Sequence, residues 1–267
     1  MKLIIFGSTG MLGRYVSVYL SRYYETSQIN RSEFDATKPH NLLSLLEKYG
    51  RKNEEYVYVI NCIGIISQQG ATDPNIYKKV NTEFPLLLAQ HCQDLGYRLI
   101  HITTDCVYSG SRGNYDEDSA HDETSVYGVS KSRGEPKNCC VIRTSIIGEE
   151  LRNKKSLLEW VRAQEKINGY TDHFWNGVTC LQLAKIIYYI IAENKYWNYT
   201  RHIHSETVSK YELVKMIIET YNLKIRLIPF ETEKVDKTLT SKYNFIAIPP
   251  LRQQLLEQKN FNLLCSE

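Results

Sequence analysis

The chain has 267 residues, 42% of them hydrophobic and 24% charged, with a net charge of +3. That length allows one large domain or two small ones around a substantial core, and the composition is ordinary for a soluble globular protein. The basic residues are scattered, which leaves no footprint for nucleic acid or a membrane surface, and the longest apolar runs fall far short of a bilayer span.

The predicted elements alternate. "KLIIF" (2–6) reads as a buried strand rather than a signal peptide, because glycines follow at once and no small-residue cleavage site is present. "MLGRYVSVYLSRYY" (11–24) carries apolar residues at helical spacing, and a weak strand is expected near 28–30. Pro39 opens a helix that Gly50 closes, and "YVYVINCIG" (56–64) is the third strand. A helix begins near Asp73-Pro74, and "TEFPLLLAQHCQDLG" continues it or adds a second. "RLIHI" (98–102) is the fourth strand, "YGVSKSRGE" lies on a helix, and "CCVIRTS" (139–145) is the fifth strand. Strands joined by helical crossovers predict a doubly wound, Rossmann-like parallel sheet of the α/β class. Beyond 145 the pattern loosens. "KSLLEWVRAQEKING", "VTCLQLAKIIYYIIAEN" and "VSKYELVKMIIETYNL" read as helices, the last capped by Ser209, and the polar tail ends in a short helix. The division expected is a nucleotide-binding domain over 1–145 with parts of 178–205, and a smaller C-terminal lobe from 146–177 and 206–267.

The seven cysteines, at 62, 92, 106, 139, 140, 180 and 265, form no C-x-x-C pair or regular framework. Reduced thiols in a cytoplasmic protein are the simplest expectation, and without a secretory signal the "NRS" and "NYT" sequons carry no meaning. No metal-ligand spacing is visible, and His202 and His204 read as packed or solvent-facing.

Three motifs carry chemistry. "GSTGMLG" places Gly7, Gly10 and Gly13 between a strand and a helix, where a tight turn lets backbone N–H groups approach a pyrophosphate at the positive helix end. The spacing is three and three, not the two and three of the dehydrogenase fingerprint. Arg31 follows the second strand, where the adenosine ribose would lie, and an arginine there suits a 2′-phosphate, hence NADPH. "YGVSK" sets Tyr127 and Lys131 one helical turn apart, on one face, and an ammonium beside a phenol should favour proton donation to a carbonyl.

"GSTGMLG", "TTDCVYSG", "YGVSK" and "VIRTSIIG", in that order and spacing, resemble the extended short-chain dehydrogenase/reductases, and within them the dTDP-4-dehydrorhamnose reductase family. The resemblance is clear over roughly 1–205 and loose beyond. It implies an NADP-binding Rossmann domain, a C-terminal lobe that takes a nucleotide sugar, and a possible homodimer. It implies that Thr104 hydrogen-bonds the sugar C4 oxygen, that Tyr127 gives the proton, and that Lys131 holds the nicotinamide ribose. It also implies that Gly7, Thr9, Gly10, Met11, Leu12, Arg31, Asp35, Ala36, Cys62, Ile63 and Gly64 line the cofactor. The segment "RTSIIGEELRNKKSLLEW...NGYTDHFWNGVT" is similar to reductases of UDP-linked 2-acetamido-2,6-dideoxy-4-ketohexoses, with Asn81, Arg143, Ser145, Trp175 and Asn176 on the substrate side.

Cys106 departs from the simple reductases, which usually carry tyrosine there. The bifunctional epimerase/reductases carry cysteine two residues after the catalytic Ser or Thr, which implies a proton-transfer role for Cys106 in C3 epimerisation. Its opposite-face partner would follow the fifth strand, with Lys155 first, Lys154 second and His173 third. A plain 4-reductase in which Cys106 is a wall residue, and a non-catalytic homologue, remain open.

Overall fold

The computed structural model describes residues 1–50, 56–66, 73–151, 154–243 and 246–261. Arg152 and Asn153 of the "RNKKSLLEW" segment, and Cys265, lie outside the described residues. Strand β1 (Lys2–Phe6) leads through the glycine turn into α1 (Met11–Leu20), β2 (Glu25–Ile29), α2 (Leu42–Tyr49) and β3 (Val57–Asn61). A long helix follows as α3 (Pro74–Tyr77), a π-helical stretch (Lys78–Glu83) and α4 (Phe84–Asp94). Next come β4 (Arg98–Thr104), α5 (Val126–Arg133) and β5 (Cys140–Thr144). Of the two readings of 73–96, the continuous one holds: the stretch is one rod with a π-helical segment in its middle, a distortion that often marks functional positions.

The remaining elements are β6 (Ile146–Ile147), α6 (Leu157–Arg162), β7 (Lys166–Tyr170), β8 (His173–Trp175), β9 (Val178–Thr179), α7 (Cys180–Ala192), β10 (Thr200–His202), β11 (Val208–Ser209), α8 (Lys210–Tyr221), β12 (Arg226–Phe230), β13 (Val235–Asp236) and α9 (Leu251–Asn260). The helix expected across 155–169 ends at Arg162. Lys166–Tyr170 is instead a strand, with exposed and buried residues alternating, paired in parallel with β12. Burial of Ile167 and Gly169 on one side of that pair overrides the helical reading.

The main sheet has the order β10-β5-β4-β3-β1-β2, with every pair parallel. Period-2 alternation covers both faces. Leu3 and Ile5 join α1 and α7 on one side, while Ile4 and Phe6 join α2 and α4 on the other. The order reverses between β1 and β3, and ligands of doubly wound sheets bind outside the carboxyl ends at such a point. Phe6 pairs with Asn61 and Asn61 with His101, so β4 runs three residues past β3 and carries Thr104, still paired with Thr144 of β5, beyond the end of that neighbour. The C-terminal elements build small sheets, β11-β8-β13, β12-β7 and β6-β9, over a separate apolar cluster containing Leu158, Trp175, Leu213 and Leu255. The chain's last described turn reaches back to the first helix, where Phe261 stacks on Tyr15 with centroids 6.0 Å apart.

Candidate active site

Gly7 has φ +77°, in the left-handed region, and a Cβ on Gly13 would stand 2.0 Å from the Gly7 carbonyl oxygen. The turn therefore closes only with glycine at both places, and the first N–H groups of α1 are left facing the switch point. Beside the turn lies a cavity of about 240 Å³ lined by Thr9, Gly10, Met11, Arg14, Arg31, Glu149, Glu150 and Leu151. Glu149 pairs with Arg162 at 3.0 Å, and Glu150 accepts the backbone N–H groups of Lys155 and Ser156, so neither carboxylate is left to repel an anion alone. Arg14, which sequence reasoning passed over, faces the same cavity as Arg31. Thr37 donates its backbone N–H and its hydroxyl to Asp35, which holds that carboxyl below the usual range. Leu12 and Ala36 are core side chains, so only their backbone can meet a cofactor.

Thr104 donates its hydroxyl to Asp105 (3.1 Å) and accepts the Cys106 backbone N–H (3.1 Å). The Cys106 thiol also donates to Asp105, at 3.5 Å. Helix α5 docks tightly on this loop, since a Cβ on Gly128 would lie 2.6 Å from the Cys106 carbonyl oxygen. That contact brings Tyr127 beside Thr104, whose hydroxyl acts to lower the phenol's pKa. Lys131 is buried, its ammonium 3.3 Å from where a Cβ of Gly64 would be, with Asn81 Oδ1 beside the same spot. The trio and the loop after β3 therefore share one end of the sheet.

The electrostatics differ from the expectation that Lys131 acidifies Tyr127. Burial, with Cys106 next, pushes the phenol above its ordinary value and keeps it protonated. Burial also lowers Lys131 to about 8. The Cys106 thiol is pushed up to about 12 by burial and by Asp105, against the opposing effect of Lys237. In this state Cys106 is a proton-bearing thiol, not a thiolate.

The substrate-side candidates divide. Arg143 is corrected to a buried structural cation: it donates to Glu135 (3.0 and 2.5 Å), Tyr108 (2.7 Å) and His202 (2.7 Å), and only 3% of its side chain is exposed. His202 Nδ1 faces the Tyr115 and Thr240 carbonyls, so it carries the proton and leaves Nε2 to accept from Arg143. Asn81 clamps the loop after β3 to α5 through Ile65 and Ser130. Asn176 grips both backbone groups of Leu239. Ser145 is half-buried, and its carbonyl accepts the Val178 N–H. Trp175 is core, with one face under the Lys210 ammonium at 5.3 Å.

The proposed partners of Cys106 are placed elsewhere. Lys154 and Lys155 are exposed, and the Lys155 backbone is tied to Glu150 at the cofactor-side cavity. His173 stacks on Tyr170 at 4.3 Å and bonds Thr232. Besides Lys131, the cations that act electrostatically on Cys106 and Asp105 are Lys210 and Lys237, more than a hundred positions downstream. Lys237 is ion-paired with Glu123 at 3.0 Å. Burial works against its charge, but Cys106, Glu123 and Asp105 hold it above the ordinary lysine value.

Comparison with known proteins places this geometry. The family model described as "RmlD substrate binding domain" matches residues 1–260. A dTDP-4-dehydrorhamnose reductase of Streptomyces griseus is 30% identical over 135 residues, 49% of this chain but only 43% of that protein. Over that match the chain spans less than half of its relative. The fold of the Bacillus anthracis dTDP-4-dehydrorhamnose reductase, crystallised with NADP, superposes with a TM-score of 0.82 at 22% identity, covering 97% of this chain and 98% of that one. MoeE5, in complex with UDP-glucuronic acid and NAD, superposes with a TM-score of 0.74 at 16% identity, covering 97% and 99%. At those identities the structural likeness establishes the fold.

Proposed function

The chain belongs to the RmlD substrate-binding-domain family, and on that premise we propose that it is an NADPH-dependent reductase of the 4-keto group of a nucleotide-linked 4-keto-6-deoxyhexose. The observation that carries this reading is the meeting of Thr104, Tyr127 and Lys131 at the carboxyl end of the sheet, beside the glycine turn and Gly64. The cradle fits the cofactor: the Gly7–Gly13 turn and the start of α1 would take the pyrophosphate, Arg31 and Arg14 the 2′-phosphate, and Cys62, Ile63 and Gly64 the nicotinamide end. NADPH, when bound, supplies the hydride.

The protein's part is proton transfer and charge placement. Thr104 orients the ketone oxygen by hydrogen bonding. Tyr127, kept protonated by burial, gives its proton to that oxygen. Lys131, cationic below about pH 8, stabilises the phenolate that remains and holds the nicotinamide ribose.

The finer reading is a UDP-linked (or dTDP-linked) 2-acetamido sugar, with C3 epimerisation preceding reduction. The resemblance of the 143–179 segment supports the sugar, and a protonated Cys106 beside Thr104 supports the epimerisation. The plain 4-reductase is the second reading, favoured by the burial of Cys106, which equally suits a wall residue. Incubating a panel of 4-keto-6-deoxy sugar nucleotides with NADPH, and identifying products by mass and NMR, separates these readings. No NADPH oxidation by a cofactor-binding protein would reject all of them in favour of a non-catalytic homologue.

A further inference from the structure

We propose that Lys237 is a positioning residue for proton donation: its ion pair with Glu123 clamps the C-terminal lobe to the first turn of α5, the turn that carries Tyr127. This rests on the ketoreductase reading above, in which Tyr127 is the proton donor.

The lysine is held at its backbone. It follows β13, which pairs in parallel with β8 of the C-terminal lobe. The segment 235–240 also docks on the loop after β4. Asp236 donates its backbone N–H to the Gly110 carbonyl (2.7 Å), and the Thr238 hydroxyl accepts the Asn114 N–H (2.9 Å). The Tyr115 N–H goes to the Thr238 carbonyl (2.9 Å), and the Thr240 N–H to the Tyr115 carbonyl (2.8 Å). The approach is close: a Cβ on Gly110 would stand 2.7 Å from Val235 Cγ1, and one on Gly113 2.3 Å from the Asp236 carboxyl carbon. From the lobe side, Asn176 grips Leu239 at 2.7 and 2.9 Å. The Lys237 ammonium is thereby carried to Glu123, at 3.0 Å.

Glu123 passes the constraint to the helix. Its Oε2 takes the ammonium, while Oε1 accepts the backbone N–H groups of Thr124 (2.9 Å) and Ser125 (3.0 Å), which lead into α5. Ser125 is the N-cap, its hydroxyl accepting the Gly128 N–H at 3.2 Å. Glu123 Cγ lies 2.1 Å from where a Cβ of Gly128 would be, so its stem packs directly on the helix. The two side chains are 22% and 19% exposed, which shields the pair from most of the solvent. Burial works against the carboxylate's charge, but the Ser125 N–H and Lys237 outweigh it. Without the ammonium, the carboxylate is drawn towards water and loosens its hold on the two N–H groups that set the start of α5. Tyr127 is the second residue of that helix. A displacement of about 1 Å at a reacting group can lower the rate by about a hundredfold. The glycine turn and Arg31 are untouched by the clamp, so cofactor binding should persist while turnover falls.

The test is NADPH oxidation with dTDP- and UDP-linked 4-keto-6-deoxyhexoses, with turnover expressed per NADPH-binding site so that unfolded protein does not count. Lys237→Met should lower kcat by at least about tenfold, with KM for NADPH and for the sugar nucleotide within about twofold of the parent. Lys237→Arg, which keeps a cation on a long stem, should restore most of the loss. Glu123→Ala should lower kcat at least as far as Lys237→Met, and combining the two should lower it no further. If the methionine variant does not fold by circular dichroism, Lys237→Gln takes its place. Parent-like kcat in the Lys237 variant overturns the clamp and leaves the ketoreductase reading standing. So does a rise in the sugar-nucleotide KM at unchanged kcat, which would make Lys237 a substrate contact, or losses that multiply in the double variant. A parent that binds NADPH but reduces neither class of sugar nucleotide overturns the ketoreductase reading and the clamp together.

Discussion

Replacing Arg143 by methionine separates a structural from a substrate-binding role. The guanidinium spans four elements: it joins β5 to Glu135, to Tyr108 after β4, and through His202 to β10 and the Thr240 carbonyl. Methionine fills much of the volume but leaves Glu135, whose side chain is 9% exposed, as a buried carboxylate without its fork partner. Breaking one side of a buried pair costs about 3–5 kcal/mol. For a chain of this size each kcal/mol lowers the melting temperature by about 2–4 °C, so a drop of roughly 6–20 °C is expected. Calorimetry with the ligand-free protein measures it. Any surviving Arg143→Met protein at low temperature should show a near-normal KM for the sugar nucleotide. An unchanged melting temperature with a large rise in KM would instead return Arg143 to the ligand.

Arg31→Ala should raise the KM for NADPH and leave that for NADH nearly unchanged; equal use of both cofactors by the parent would contradict the role given to Arg31. Tyr127→Phe should lose at least about a hundredfold in turnover, with NADPH binding by fluorescence titration preserved. Because burial lowers Lys131 to about 8, kcat/KM should fall as pH rises through that value, and Lys131→Arg should move the fall to higher pH. His202 is held neutral, its pKa lowered from 6.5 to about 4 by burial and Arg143. Below pH 6.5 the unfolded chain takes up a proton that the folded chain refuses, so urea-unfolding stability should decline from pH 6.5 towards about 4, by up to roughly 3 kcal/mol from this group, and His202→Gln should flatten that decline.

Strands β1, β3, β4 and β5 were legible because they are short apolar runs between helices of clear periodicity, whereas β2 (ETSQI) and β10 (TRH) are polar stretches placed by pairing with β1 and β5; the glycine turn sits where a strand meets a helix. The nearness of Thr104, Tyr127 and Lys131 was legible because they fall within one stretch of chain around β4 and α5. Lys166–Tyr170 was misread because Gln164, Glu165 and Lys166 continue the helical composition of α6, while the strand arises only from pairing with β12, sixty positions on. Lys237 was hidden for the same reason: it carries no local motif, and it comes to the loop after β4 because Asp236 donates its backbone N–H to Gly110. Arg143 was misassigned because a strand-end arginine near a binding cleft looks the same in sequence whether it faces a ligand or a buried glutamate.

Hydride should go to the sugar's C4 while Tyr127 protonates its oxygen. NADPH deuterated at both positions of nicotinamide C4 tests it directly, with the sugar product of a 4-keto-6-deoxy nucleotide read by NMR. The parent should give one deuterium on sugar C4, bearing a new hydroxyl, and Tyr127→Phe almost none. Label at any other sugar carbon, or a cofactor that binds but is never oxidised by any 4-keto sugar nucleotide, would contradict it.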